Sequence, residues 1–114
     1  MTAAPLAFDG QMLLCPSCGG DCVHIDDAYV LGRPRESEAM RPVHVNHKGH
    51  VSMGPEVDGA IPIDPVRGKG RRHTMSLVGW CEGCGGRFAI TFMQHKGNTF
   101  VSTLASEWRG IAAD

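Results

Sequence analysis

Alternation of apolar and polar residues marks most of this chain as β-strand. Residues 22–31 alternate, although Asp27 interrupts the apolar positions and predicts a bulge or an early strand end. Residues 43–53 alternate on both sides of a His-Lys-Gly turn, as expected of a hairpin. The last three predicted strands are residues 71–80, 87–94 and 98–104. The pattern therefore predicts a small all-β protein with an antiparallel sheet.

Side-chain alternation also predicts which residues share a face. In the first strand it places these four on one side: Val23, Ile25, Tyr29 and Leu31. In the final hairpin one face is expected to carry Phe88, Ile90 and Phe92, answered across the turn by Phe100, Ser102 and Leu104. This turn is again His-Lys-Gly, and His95 and Asn98 are expected to close it. We interpret the repeated tripeptide as coincidence.

The segments between the strands lack periodicity. Residues 33–41 are charged and predict a loop or a single helical turn. Residues 54–70 contain prolines that interrupt any ladder, so we expect an extended loop there. A short helix is expected around residues 105–109.

Two copies of the motif C-x-x-C-G-G, at residues 15–20 and 81–86, carry the main chemical signal. A C-x-x-C pair on a tight turn directs two thiolates at one point, and the following glycine admits positive φ. Two such turns supply the tetrahedral set of thiolates that a structural Zn²⁺ prefers. The predicted ligands of one Zn²⁺ are Cys15, Cys18, Cys81 and Cys84.

Other uses of these cysteines fit less well. A thioredoxin-like redox pair needs a βαβ surround, and no helical pattern follows either motif. A disulfide framework needs an oxidising compartment, whereas the first residues lack the basic start and apolar core of a signal peptide. The cysteine count of 5 is also odd. These features favour zinc and a cytoplasmic location.

The cysteine turns and the strand pattern together predict a zinc ribbon. Its sheet is expected to be three-stranded and antiparallel, with a long inserted loop and hairpin segment between the two cysteine motifs. The predicted organisation is a flexible N-terminal arm at 1–11, a zinc-ribbon domain at 12–104 with an insertion at 23–70, and a C-terminal tail at 105–114. Metal closure makes so long an insertion tolerable, because closure entropy grows slowly with loop length.

Composition limits the core and the partners. The 114 residues include 15 glycines, 7 prolines and only 6% aromatic residues. The core should therefore be small and should need a bound metal to stabilise it. The formal net charge of −1 becomes about −3 when four thiolates and one Zn²⁺ are counted. The chain as a whole is therefore not a basic nucleic-acid binder. No apolar run is long enough to span a membrane.

Several further residues invite a chemical role. Cys22 is interpreted as a buried, inert thiol at a strand start, although it could replace a ligand. The series His44, His47 and His50 does not project to one side of a hairpin, which disfavours a second metal site. Gln94 and His95 are interpreted as turn residues in preference to recognition residues.

One basic run is the local candidate for contact with nucleic acid. It contains Arg67, Lys69, Arg71 and Arg72, followed by His73. Glycines interleave the run, no acid interrupts it, and no aromatic residue accompanies it for base stacking. A solvated loop and a phosphate-contacting loop both remain open.

The sequence gives little support to catalysis. The carboxylates of Asp26, Asp27, Glu36 and Glu38 have no histidine or nucleophile at a recognisable spacing. There is no phosphate-binding glycine loop and no nucleophile elbow. We therefore expect neither an enzyme nor a small-molecule substrate.

The second half of the chain resembles a known family. The stretch Trp80-Cys81-Glu82-Gly83-Cys84-Gly85 and the hairpin Gln94-His95-Lys96-Gly97-Asn98-Thr99-Phe100 resemble small zinc-ribbon proteins of actinobacterial phages and prophages. The resemblance covers residues 13–22 and 71–101 and leaves the insertion unmatched. That family has no defined function, so the resemblance implies a fold, a metal and a type of host.

Two functions are consistent with these patterns. The first is a phage adaptor that binds nucleic acid or nucleic-acid machinery, such as the transcription apparatus, because ribbons expose sheet edges and turns suited to docking. The second is a structural or assembly module that becomes ordered within a virion or a larger protein complex.

Overall fold

The computed structural model describes residues 2–35, 37–62 and 73–105. Within them, nine strands and one short helix follow one another along the chain. The strands are β1 (Thr2–Ala3), β2 (Phe8–Asp9), β3 (Met12–Leu13), β4 (Val23–Gly32), β5 (Arg41–Val45), β6 (Val51–Met53), β7 (Thr74–Cys81), β8 (Arg87–His95) and β9 (Asn98–Ala105). The helix α1 (Pro55–Ala60) lies between β6 and β7. The protein is thus mostly β.

All strands except β2 and β3 join one antiparallel sheet in the order β1-β9-β8-β7-β4-β5-β6. The three strands expected from the last part of the sequence are present as β7, β8 and β9, but they are part of a seven-stranded sheet. The predicted insertion adds β4, β5 and β6, and the N-terminal residues add β1. β4 joins the two groups, since it pairs with β5 on one side and β7 on the other. The small two-stranded sheet β2-β3 precedes the first cysteine motif.

The β8–β9 hairpin has a two-residue turn that fixes its register. Lys96 and Gly97 both have positive φ, 51° and 81°, as a type I′ turn requires. His95 and Asn98 close the turn, as predicted. From this pair the register places Ile90 opposite Thr103. The residues expected to face Ile90 and its neighbours, Phe100, Ser102 and Leu104, are therefore each one position away from the true partners. Those side chains lie on the opposite face of the sheet.

The β5–β6 hairpin is also confirmed, and it uses the same tripeptide differently. Only Gly49 has positive φ, 82°, and its N–H donates to the carbonyl of Asn46 at 2.8 Å. The Asn46 side chain accepts from the amides of Lys48 and His50 at 2.9 and 3.0 Å. The repeated tripeptide therefore forms two different turns, which agrees with the interpretation that its repetition is coincidental.

A bulge in β4 moves its side chains from one face to the other. The register against β7 shifts between Ile25 and Asp27, which leaves Asp26 as the extra residue. Before the bulge Ile25 lies opposite Gly79, and after it Tyr29 lies opposite Ser76. The expectation that Ile25 and Tyr29 share a face is therefore wrong, and the interruption predicted near Asp27 is the cause.

The segment expected to be an extended loop begins with α1. Pro55 occupies the first turn of this helix, where its missing N–H costs nothing. Val57 and Ile61 are buried where the helix packs against β5 and β6. Residues 63–72, the remainder of the predicted loop, lie outside the described residues.

The two faces of the sheet differ in chemistry. Because directly paired residues share a face, one face can be followed from β6 to β9. One row across it is Met53, Val43, Val30, Met75, Phe92 and Val101. The next row is Val51, Val45, Ala28, Leu77, Ile90 and Thr103. We call these two rows, with Ile25, the apolar face.

The other face, which we call the polar face, is mixed. It carries His24, Asp27, Tyr29, His44, Ser76, Trp80, Arg87 and Thr91. Ser76 and Thr91 are buried at its centre and share a hydrogen bond of 3.0 Å. The packed core is concentrated in β7, β8 and β9, and Phe88 is its largest fully buried side chain. No helix in the described part of the chain is long and apolar enough to cross a membrane.

Candidate metal centre

The two C-x-x-C-G-G motifs fold into matching turns, which we call the first knuckle (residues 15–20) and the second knuckle (residues 81–86). In the first, the N–H of Cys15 donates to the carbonyl of Gly20 at 2.8 Å, and the N–H of Gly19 donates to the carbonyl of Cys15 at 2.9 Å. The second repeats both bonds at the corresponding positions, at 3.0 and 2.9 Å. Gly19 and Gly85 have φ of 78° and 70°, which explains the first glycine of each motif.

Backbone amides of the knuckles point at the cysteine sulfurs. The amides of Ser17 and Gly20 lie 3.3 and 3.4 Å from the Sγ atoms of Cys15 and Cys18. In the second knuckle the Gly86 amide lies 3.3 Å from the Sγ of its second cysteine. Such N–H groups stabilise thiolates, which are the form of cysteine that binds metal.

The fold brings the four predicted ligand sulfurs into one cluster. The Sγ atoms of Cys15 and Cys84 are 3.7 Å apart, and those of Cys18 and Cys81 are 3.6 Å apart. All four atoms lie within 4.8 Å of one another. Tetrahedral Zn²⁺ with bonds of about 2.3 Å has S···S edges of about 3.8 Å. A disulfide would need about 2.05 Å, so the spacing fits ligands of a shared metal ion.

The cluster favours thiolate formation at one position and resists it at the others. Burial opposes ionisation of Cys15, but hydrogen bonds from the amides of Cys18 and Ser17 outweigh it and lower the pKa of Cys15 to about 7. Burial raises the pKa of both Cys81 and Cys84. The hydrogen bond from the Gly20 amide lowers the pKa of Cys18, but burial and the sulfurs of Cys15 and Cys84 outweigh it and raise that pKa overall. Metal binding therefore has to displace protons from this cluster.

Strand pairing sets the two knuckles against each other. Cys81 ends β7 and lies opposite Val23, the first residue of β4. The N–H of Glu82 donates to the carbonyl of Cys22 at 2.9 Å, so the first residues of the second knuckle bond directly to the chain that leaves the first. The sheet thus aligns two turns that are 66 positions apart in sequence.

Cys22 lies outside the cluster. Its side chain is exposed, and its Sγ donates to Asp21 Oδ1 at 3.4 Å. That hydrogen bond to the aspartate raises the pKa of Cys22. The expectation of a buried thiol is wrong, because Cys22 precedes β4 and does not face the core.

A surface beside the second knuckle was not predicted from the sequence. The rings of His24 and Trp80 stack with centroids 4.7 Å apart, and His24 Nε2 lies 2.9 Å from Glu82 Oε2. About half of each of the His24 and Glu82 side chains is exposed, 49% and 56%. Arg87 is the neighbour of Trp80 across β8. We call these four residues the knuckle surface; the W-C-E run was visible in the sequence, but its pairing with His24 depends on the β4–β7 register.

A second polar group lies further along the polar face. His44 Nε2 is 2.8 Å from Asp27 Oδ1, and the His44 ring stacks on Tyr29 with centroids 4.2 Å apart. Asp26 Oδ1 is buried without a hydrogen-bond partner among the described residues, and burial, aided by Asp27, raises the pKa of this carboxyl. Of the histidine series, His44 faces this group, whereas His47 and His50 are exposed at the β5–β6 turn. In the described residues, the cysteine group is the one with metal-ligand geometry.

The remaining sequence candidates lie elsewhere. Glu38 pairs with Arg35 and Arg41 at 3.0 and 2.8 Å on the surface, as structural ion pairs do. Glu36 and the basic run of Arg67, Lys69, Arg71 and Arg72 lie outside the described residues, and His73, next to β7, is exposed.

Comparison with known proteins adds no relative. No protein-family model, curated protein or solved structure matches this chain. The fold and the cluster therefore define the class by themselves: a mostly β protein with antiparallel sheets and a group of four cysteines that could hold a metal ion.

Proposed function

We propose that this protein is a zinc-stapled adaptor of the zinc-ribbon type, which binds nucleic acid or nucleic-acid machinery in the cytoplasm of a phage-infected host. Zinc is the proposed metal because an all-thiolate tetrahedral set is the structural zinc arrangement. With four protein ligands the ion has no open position for substrate, so its role is structural. Elemental analysis of the purified protein should give about one zinc per chain.

The observation that carries the adaptor proposal is the knuckle surface. A Trp–His stack with an adjacent arginine and glutamate is the kind of surface that forms interface hot spots, because tryptophan and arginine supply large contacts with polar anchors. The metal cluster holds this surface rigidly, since Trp80 directly precedes ligand Cys81.

The described grooves favour binding over catalysis. The groove between β5 and α1 is lined by Met40, Arg41, Pro42, Met53, Gly54 and Pro55. This lining contains no carboxylate, histidine or thiol with which to move a proton or attack a substrate, and a second groove, beside Gly32 and Pro34, has His73 as its single side chain of that kind. We therefore propose a non-enzymatic role.

Affinity capture from phage-infected actinobacterial cells, with Trp80→Ala beside the natural chain, tests the proposal. Loss of a hot-spot tryptophan should weaken capture of a specific partner by about 30-fold. Phe100→Ala is the matched control, because it removes a half-buried aromatic ring near the β8–β9 turn, at the other end of β8 from the second knuckle. Equal capture by Trp80→Ala and the natural chain, at equal zinc content, would reject the knuckle surface as the docking site.

Direct contact with nucleic acid is tested separately. Binding to single- and double-stranded DNA and RNA should weaken steeply with salt if phosphate contacts carry it. Binding that is absent or independent of salt would assign the adaptor to a protein partner.

The alternative role, a module of a virion or larger complex, is favoured by a different observation. Seven large side chains of the apolar face are exposed, as a surface that becomes covered on assembly would be. Detection of the protein in purified particles would support this alternative over the adaptor.

A further inference from the structure

The exposed apolar side chains of this protein are gathered on one side of the sheet. Nine large hydrophobic residues are exposed among the described residues, and seven of them belong to the apolar face. These seven are Ile25, Val30, Val45, Val51, Met53, Met75 and Val101. The exposed fractions of Val51 and Met53 reach 63% and 64%. Scattered exposed apolar residues are ordinary, but a set confined to one sheet face is not.

The size of this surface is at the upper end of what a monomer usually exposes. The seven side chains together present on the order of 600 Å² of apolar area, the upper limit for the largest patch of a typical monomer. A β-sheet with an apolar face is stable when a second layer covers it. Part of the apolar face is already covered within the chain, since Ile90 and Thr103 are buried, but the seven large side chains stay exposed.

From this arrangement we infer that two copies of the chain form a dimer by packing their apolar faces together. Two such faces bury about 1,200 Å², which reaches the range of specific stable interfaces. Sheets pack face to face about 10 Å apart at an angle of about 30°, and a two-fold axis places the same patch on both partners.

Charge favours a second copy over a different partner. Neither row of the apolar face contains a charged residue, so two copies meet without like-charge repulsion. Arg41 lies at the margin, opposite Gly32. The one hydroxyl in the rows, that of Thr103, is buried, so the face has little with which to select a foreign protein by hydrogen bonds or charge.

The dimer leaves the knuckle surface free, because Trp80 and its neighbours lie on the polar face. This inference therefore goes beyond the proposed adaptor function and stands or falls separately from it. Each dimer would present two knuckle surfaces, one from each copy.

Sedimentation or light scattering of the zinc-loaded full chain, over a range of micromolar concentrations, tests the inference. The natural chain should show twice the 12.2 kDa chain mass. Met75→Glu places a carboxylate from each copy in the apolar interface and should raise the dimer dissociation constant at least about 100-fold. Val101→Glu, on the other side of the same row, should act in the same way.

Met12→Glu is the matched control. Met12 is exposed to nearly the same extent as Met75, 43% against 41%, but it lies in β3, outside the apolar face. Its glutamate variant should remain a dimer. A monomeric natural chain, or a dimer that survives both Met75→Glu and Val101→Glu, would overturn the inference.

A measurement on the natural chain keeps the test independent of folding defects in the variants. Methionine oxidation by peroxide follows exposure. As the protein concentration rises, Met53 and Met75 should become protected while Met12 stays reactive, as read by mass spectrometry. Equal oxidation rates at all concentrations would reject the buried face.

Discussion

Gly79 shows how one missing side chain sets the approach of two strands. A Cβ at this position would collide with the backbone carbonyl of His24 and would lie 2.7 Å from Cζ of Phe88. Phe88 is paired with Gly79 and fully buried, so its ring fills the space that a side chain would take. The glycine thus lets β4 approach β7 next to the cysteine cluster.

We expect Gly79→Ala to lower the free energy of unfolding by about 3 kcal/mol, because a backbone carbonyl and a buried ring cannot both move aside. Gly83→Ala is the control, since a Cβ there meets only Cys81 Sγ at an ordinary 3.6 Å. Urea unfolding of the two zinc-loaded variants gives the comparison. Similar stabilities would show that β4 adjusts freely.

The cysteines differ sharply in expected importance. Cys81→Ser removes a buried sulfur of the cluster and should abolish zinc binding and unfold the sheet. Cys22→Ser alters an exposed thiol outside the cluster and should change stability by less than about 0.5 kcal/mol. Zinc content and circular dichroism measure both. Zinc loss in Cys22→Ser, with retention in Cys81→Ser, would mean that the ligand set is wrong.

Sequence was most informative about residues whose chemistry is local. The spacing of the cysteines and the glycines that follow them determines each knuckle turn, so the clustered set could be predicted. The knuckle surface could not, because it depends on which residue of β4 faces Trp80.

At the scale of elements, the two His-Lys-Gly turns have the same sequence but different backbone conformations. Lys96 is the one described residue other than glycine with positive φ, 51°. A lysine side chain in this left-handed region costs roughly 1–2 kcal/mol. In the other turn the positive φ belongs to Gly49, which adopts it without strain, and Lys48 has no positive φ.

Lys96→Asn should therefore stabilise the protein by about 0.5–1 kcal/mol, because Asn-Gly is the preferred pair for a type I′ turn. Lys48→Asn makes the same chemical change where φ is not positive and should bring no comparable gain. Thermal unfolding of both variants gives the contrast. An equal gain in both would trace the effect to charge and not to backbone conformation.

The same turn explains why element positions were easier to predict than register. Alternation located β7, β8 and β9, but it does not fix which residues pair, and the sequence of β9 alternates too weakly to fix its face. The Lys96-Gly97 turn sets Phe92 opposite Val101, and a single-residue error moved every predicted facing partner to the wrong side. The β4 bulge had a similar effect on the residues beyond Asp26.

At the scale of the whole molecule, the predicted insertion supplies three of the seven strands of the sheet. These are β4, β5 and β6, and β4 is an interior strand next to the central strand β7. Its pairing with β7 joins residues about fifty positions apart, which no local pattern records. The cysteine cluster lies where β4 begins and β7 ends, so a metal ion bound there would couple the two parts of the sheet.

Metal binding to this cluster should depend steeply on pH. Cys18, Cys81 and Cys84 have raised pKa values and hold their protons near pH 8 in the metal-free protein, whereas Cys15, with a pKa of about 7, is already mostly ionised. Zinc binding near pH 8 should therefore release about three protons, and affinity should fall as pH falls. Calorimetry in buffers of different ionisation enthalpy measures this number. Release of no protons would mean that the thiolates form before the metal arrives.

Removal of the metal should unfold the molecule. The buried apolar residues of the described chain are few and mostly of medium size, and Phe88 and Leu31 are the largest that are fully buried, so apolar burial offsets only part of the chain entropy. Structural zinc contributes on the order of 10 kcal/mol, comparable to the whole net stability of a domain. A chelator should abolish the β-sheet signal in circular dichroism, and added Zn²⁺ should restore it. The Cys22→Ser variant should lose and regain this signal in the same way as the natural chain, because Cys22 is not part of the cysteine cluster. A sheet signal that survives complete removal of zinc would show that strand pairing, and not the metal, holds the two halves together.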